Sequence, residues 1–261
     1  MERITLLLSE RALNDSALHQ TPFEKSLRRR LLKVGAVLDL IERETEYTYA
    51  SVLSSPDELR RHIQLYEELD VELAHLVSQY IESSLIRKRL FRGDELSIKR
   101  IAYSIKTNVS KSRSLKKTDL VDIKAIYATI FAQNPLAPPF DLARPFFERD
   151  LDAFNLSYQV LLDNFKLLVA KGFKLDLFSG GLPYSLSTVE ALISKAEDLG
   201  REVFALIQKV FVRYEERLLV FEQIKESCNA ICNRSRFLLG SHHPVYKEIL
   251  LSSMRSCRFV S

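Results

Sequence analysis

The chain has 261 residues, of which 46% are hydrophobic and 28% are charged, and this composition suits a globular protein with a full core. The net charge of only +4 means that whole-molecule charge does not require a nucleic-acid partner. The apolar run near the start is too short for a signal peptide, and no window approaches about 18 uncharged apolar residues. We therefore expect a cytoplasmic protein that does not span a membrane.

The three cysteines are Cys228, Cys232 and Cys257. An odd count without regular spacing argues against a disulfide framework, and no second cysteine pair completes a zinc site. We expect reduced thiols in the core.

The first half of the chain reads as an arm followed by four helical elements. Residues 1–21 form the N-terminal arm, and the first helix is predicted from Pro22 to Glu46. Ser55-Pro56-Asp57-Glu58 predicts a capping box at the start of the second helix, which ends at Gly93-Asp94. The third helix is predicted over 95–114 and a fourth element over 121–131. Each of the first three has apolar residues at helical spacing.

The stretch 134–145 contains four of the eight prolines. Proline cannot continue a helix, so a break is expected there. Because phenylalanines lie in and beside this stretch, we predict a packed linker rather than a free tether.

The plan of the first half recurs after the linker. Leu27 and Leu38 fall on Leu151 and Leu162 at a spacing of 124 (151 − 27), and Ser187–Glu190 repeats the capping pattern. This pattern predicts a duplication with units at 22–133 and 146–261. The predicted fold is all-α, with two similar three- to four-helix antiparallel bundle units arranged as an internal pseudo-dimer.

The segment 201–239 contains no glycine or proline. By analogy with the first half, a turn is expected near Glu215–Leu218. The alternative, one helix running through the whole segment, would be unusually long for a compact bundle.

One region is electrostatically uneven. Between Arg87 and Lys124 there are 12 lysines and arginines against four acids, a local excess of +8. On the predicted third helix the basic residues lie largely opposite the apolar stripe, and such a face can neutralise phosphates. The candidate basic face consists of Lys99, Arg100, Lys106, Lys111 and Arg113.

Two other interpretations of this face stay open. It is an ordinary solvated helix face if acids on the neighbouring helix balance it, the candidates being Glu67, Glu68, Asp70 and Glu72. Alternatively, it binds an acidic protein. No helix-turn-helix, zinc or RNA-binding motif accompanies it.

No catalytic, cofactor or metal residues are assigned. Glu72 and His75 have the Glu-x-x-His spacing of di-iron bundles, but those bundles use this element twice and add further glutamates. His242-His243 predicts a surface loop. Ser179–Pro183 lacks the Lys-Ser/Thr ending of a phosphate-binding loop.

The layout resembles a group of bacterial duplicated helical-bundle proteins of unknown function, whose units close with a small-residue turn and a Pro-x-Tyr-Lys tail. Gly240-Ser241-His242-His243-Pro244-Val245-Tyr246-Lys247-Glu248 carries this resemblance. The corresponding stretch 117–124 lacks glycine, proline and tyrosine. The resemblance implies no activity and no site residues.

The sequence therefore favours a non-enzymatic helical interaction or scaffolding protein without a cofactor, whose partner is another protein or a second copy of itself. The alternative is a nucleic-acid-associated protein that uses the Arg87–Lys124 face. A metal-dependent helical-bundle enzyme is the remote third reading.

Overall fold

A computed structural model describes residues 22–93, 96–111, 115–132, 151–178 and 182–252. These residues form helices and contain no strand, which confirms the all-α prediction. The helices are α1 (Pro22–Arg43), α2 (Pro56–Arg92), α3 (Ile98–Lys111), α4 (Lys117–Ala132), α5 (Leu151–Lys174), α6 (Leu186–Leu239) and α7 (Pro244–Ser252), with a 3₁₀ turn at Val52–Ser54. None of these helices is both long and apolar enough to cross a membrane. The arm at 1–21 and the linker at 134–145 lie outside the described residues.

The chain divides into two compact units, and both draw on residues from either side of the proline-rich stretch. The boundaries fall inside α2, between Val77 and Ser78, and inside α6, between Gln208 and Lys209. The predicted boundaries at 22–133 and 146–261, and the duplication itself, stay predictions.

Unit 1 combines α1, α2 up to Val77, α6 from Lys209, and α7. The α1 stripe is buried as its spacing predicts, and it packs with α2, α6 and α7 in one apolar core that includes Leu31, Ile63, Ile224 and Ile249. Burial of such side chains is the main term that favours folding. The reduced thiols of Cys228 and Cys232 lie in this core, as predicted, whereas Cys257 is outside the described residues.

The loop after α1 is held by side-chain hydrogen bonds. The Tyr47 hydroxyl donates to the Ser54 carbonyl oxygen at 2.7 Å. The predicted start of α2 at Pro56 is confirmed. The Glu58 carboxylate, which was expected to complete the capping box, instead accepts from Arg61 at 2.7 Å.

Unit 2 combines α2 from Ser78, α3, α4, α5, and α6 up to Gln208. The stripe of α3 is buried, since Ile98, Ile101 and Ile105 are inaccessible to solvent, and α3, α4 and α5 contact one another. Phe91 meets Tyr158 of α5 edge-on, with ring centroids 5.0 Å apart. With α3 fixed by its apolar face, its opposite face points to solvent.

The predicted turn at Glu215–Leu218 is wrong, because α6 is one helix of 54 residues, or about 80 Å. Glutamate, arginine and leucine all favour helix, and nothing in the segment competes with that preference. The predicted cap of α6 is displaced as well. Ser185, rather than Ser187, lies before the first turn, and its Oγ accepts from the Thr188 amide at 3.2 Å.

Candidate functional site

The candidate site lies on the exposed side of α3 and α4 in unit 2. Lys99, Tyr103 and Lys106 are spaced four and three residues apart, so they follow one side of α3. Tyr127 and Phe131 are spaced in the same way on α4. Together with Arg100, these residues form what we call the basic–aromatic face.

Cations and rings contact each other across this face. Lys99 Nζ lies 5.1 Å from the ring centroid of Phe131. Lys106 Nζ lies 5.1 Å from the ring of Tyr127 and 5.8 Å from that of Tyr103. These distances are those of cation–π contacts. The rings therefore hold the lysine side chains along the line between the two helices.

A pocket of about 440 Å³ opens at one end of the face. The end of α2, the start of α3 and the end of α4 supply its walls, so the lining that the structure describes belongs to unit 2. The described lining residues are Arg92, Gly93, Ser97, Lys99, Arg100, Tyr103 and Phe131. Basic and aromatic side chains predominate among them.

Among the residues that the structure describes, basic side chains outnumber acidic ones on the face. Partial burial and the neighbouring Arg92 lower the pKa of Lys99 below its ordinary value. Arg100, Lys106 and Lys111 form no ion pair with a carboxylate of the described residues. Asp122 of α4 is occupied by Lys171 of α5. An anion bound here would relieve the repulsion between the cations.

The structure brings together part of the predicted basic face. Lys99 and Lys106 are half-buried beside α4, whereas Arg100 and Lys111 are more exposed. Arg113 lies outside the described residues. The aromatic half of the site was missed, although Tyr103 could have been found as an exposed ring between two lysines at helical spacing.

Two of the acids expected to balance this face have other partners. Asp70 binds the guanidinium of Arg217, and Glu72 accepts from Arg213 Nε at 2.9 Å. Both interactions lie in unit 1, while the basic–aromatic face lies in unit 2.

Glu72 and His75, the two residues of the metal hypothesis, lie on the exposed surface of α2. Within the described ranges, no group of three or more histidine, cysteine, aspartate or glutamate side chains is arranged to hold a metal ion. His242 lies in the short turn before α7 and is exposed, in agreement with the predicted surface loop, whereas the neighbouring His243 is half-buried.

Sequence reasoning also missed a buried ionic cluster in unit 1. The Arg217 side chain is fully buried, and its Nη2 donates to the Glu24 carboxylate at 2.6 Å while Nη1 donates to Asp70. Burial alone would lower the pKa of Arg217, but Tyr66, Glu24 and Asp70 outweigh it and the pKa is raised. The cluster is closed to solvent, so it is not part of the candidate binding surface.

No protein family, curated protein or solved structure matches this chain.

Proposed function

We propose that the chain is a non-enzymatic, cytoplasmic binding protein that associates with nucleic acid through the basic–aromatic face. The observation that supports this proposal most strongly is the row of lysines and rings along α3 and α4. Lysine and arginine neutralise phosphates, and aromatic rings contribute contacts with bases. A solvated helix face explains the cations but gives no reason for exposed rings among them.

A binding experiment tests the proposal directly. Labelled DNA and RNA are titrated with the full chain at about 50 mM salt and at rising salt concentrations. If about four phosphates are neutralised, the plot of log affinity against log salt has a slope of about −3 for single strands and about −4 for duplex. Absence of binding to both nucleic acids at low salt contradicts the proposal.

Two double charge-reversal variants distinguish binding at this face from binding that depends only on the overall positive charge of the protein. Arg100→Glu with Lys106→Glu is expected to abolish most of the binding. Lys174→Glu with Lys195→Glu makes the same change in net charge at exposed positions of unit 2 outside the face. We expect this control pair to retain most of the affinity, and equal losses from the two pairs would rule out a localised site.

A protein partner, or a second copy of the chain, is the second candidate. The supporting observation is a pair of exposed apolar side chains on α6 in unit 1, Leu219 at 66% and Phe237 at 78% exposure. Their spacing of 18 residues is five helical turns, so they lie on the same side of α6. Concentration-dependent light scattering that Leu219→Asp abolishes would support self-association, and a single monomer mass at all concentrations would exclude it.

A further inference from the structure

We propose that the basic–aromatic face selects single-stranded nucleic acid, holding an unpaired base against Tyr103 and Phe131 in the pocket while the lysines bind the adjacent phosphates. This inference rests on the proposed function and adds the strandedness of the ligand to it. DNA and RNA share the chemistry involved, an unpaired base beside a phosphodiester.

The rings of Tyr103 and Phe131 are partly exposed. Tyr103 is 52% exposed and Phe131 is 40% exposed. The core of unit 2 has thus not absorbed these rings, and part of each reaches solvent beside the lysines that contact them. In a duplex each base is stacked on its neighbours, and a protein ring on an undistorted surface cannot reach its face. Single strands offer that face, and stacking tolerates any base.

The rings support one another. Tyr127 and Phe131 have centroids 4.3 Å apart, and Tyr103 lies 6.4 Å from Tyr127. Tyr127 is half-buried between the two helices. A platform that is already arranged loses less entropy when a base docks.

The size and lining of the pocket suit part of a nucleotide. Its volume of about 440 Å³ is in the range of small-molecule sites, roughly 300–1,000 Å³, and it is a shallow depression open to solvent on one side. Tyr103 and Phe131 supply aromatic surface, while Arg92, Lys99 and Arg100 supply positive charge. This combination matches one nucleotide, with a flat apolar base and an anionic phosphate.

Cations and rings follow one another along the face. Lys99 and Lys106 are seven residues apart, or about 10 Å along α3, and Tyr103 lies between them. Lys124 lies one turn before Tyr127 on the same side of α4. Cations therefore alternate with rings, as phosphates alternate with bases along a single strand.

The test compares labelled oligothymidylate, oligouridylate and a duplex, each about 15 units long, in fluorescence anisotropy with the full chain. We expect tighter binding of the single strands. Tyr103→Ala is expected to weaken single-strand binding roughly 5- to 150-fold, the range for loss of one stacked base. Tyr103→Phe keeps the ring and should restore the affinity. Phe204→Ala, which removes an exposed ring of α6 in unit 2 outside the face, is the matched control and should have no effect.

A spectroscopic reporter provides a readout that does not depend on affinity. The chain has no tryptophan, so Tyr103→Trp introduces a single one. Stacking of a base on this indole should quench its emission upon addition of oligothymidylate, whereas addition of duplex should leave it unchanged. Circular dichroism of each variant verifies that the helices are intact.

The outcomes separate this inference from the proposed function. Equal binding of single strands and duplex, with no effect of Tyr103→Ala, overturns the single-strand inference and leaves nucleic-acid binding standing. Absence of binding to all three probes overturns both. If polyglutamate displaces oligothymidylate at equal charge concentration, the face binds acidic protein instead, and the inference is wrong.

Discussion

The two units use arginine and lysine in opposite ways. In unit 1, Arg217 is fully buried and two carboxylates, Glu24 and Asp70, surround it. In unit 2, Lys99 and Lys106 lie at the surface against aromatic rings, and the carboxylate of Asp122 is engaged elsewhere. Burial with acids makes a cation part of the core. Partial exposure beside rings leaves it able to meet a ligand, and the binding face that we propose therefore lies in unit 2.

The largest effect is expected from dividing the chain. Each unit takes helices from both sides of the proline-rich stretch, so cutting between Pro138 and Pro139 leaves both units incomplete in either half. We predict that each half produced alone shows no cooperative unfolding and that co-expressed halves form a stable complex. Size-exclusion chromatography and urea unfolding check this prediction.

Dividing the chain also tests the predicted domain boundaries. If residues 1–138 fold alone as a monomer, the boundaries at 22–133 and 146–261 are right and the dependence of each unit on both halves is wrong. A duplication is also compatible with units that each take helices from both halves of the chain. At the offset of about 124, α1 corresponds to α5 and α4 to α7, and the contacting pairs are α1 with α7 and α4 with α5.

The next largest effect concerns the ionic cluster. Arg217→Met leaves two buried carboxylates without their cation, and we expect a loss of about 3–5 kcal/mol in the free energy of unfolding. Hydrogen exchange should accelerate in α1 and much less in α3, because only α1 belongs to the unit that contains Arg217.

The control for Arg217 is Arg213→Ala. Arg213 forms ion pairs with Glu72 and Glu216 at the surface, where solvent screens them, so its loss should cost far less than the loss of Arg217. If the two variants are equally stable, the buried cluster contributes no more than a surface pair. The contrast between a buried, paired arginine in unit 1 and surface cations in unit 2 would then have no energetic basis.

A smaller and stabilising effect is expected in unit 2. Gly200 lies inside α6, and a Cβ added there meets no atom within 4 Å. Gly200→Ala should therefore stabilise the protein by about 0.5–1 kcal/mol, because glycine in a helix interior has the greater entropy to lose. Gly172→Ala is the control, since its Cβ would lie 3.2 Å from Phe178 Cε2. An equal gain in stability at Gly172 and Gly200 would show that the neighbouring side chains do not influence the effect of the added methyl group.

The smallest effect is a pH dependence in unit 1. Partial burial and the nearby Asp70 raise the pKa of Glu67 above its usual 4.5. The folded state therefore holds this proton more tightly than the unfolded state, and the resulting stabilisation is lost as pH rises through the raised pKa. Because solvent partly screens the Glu67 carboxylate, we expect Glu67→Gln to stabilise the protein by less than about 1 kcal/mol at pH 7. Near pH 4.5 more of the Glu67 carboxyl is protonated, so the stabilisation should be smaller still. Urea unfolding at both pH values measures this, and an equal difference at both contradicts the assignment.

The helices were predictable because apolar spacing and sharp breaks act locally. The stripes of α1, α2 and α3 are buried as expected, and α2 ends at the predicted glycine. The suggestion that Asp70 and Glu72 balance the basic face did not hold, because both pair with arginines of α6 through tertiary contacts that the sequence does not reveal. For the same reason, the cations of the site were visible in the sequence while their contacts with Tyr127 and Phe131 were not.

The ionic cluster of unit 1 joins residues that are synthesised at very different times. Arg217 follows Asp70 by 147 residues and Glu24 by 193. At about 5–20 residues per second, a ribosome needs roughly 7–30 s to travel from Asp70 to Arg217. Throughout that interval the two carboxylates lack Arg217, and the apolar side chains of α1 lack their α6 partners. Unit 1 is therefore completed late in translation, after its first helix has been exposed without the helix that covers it.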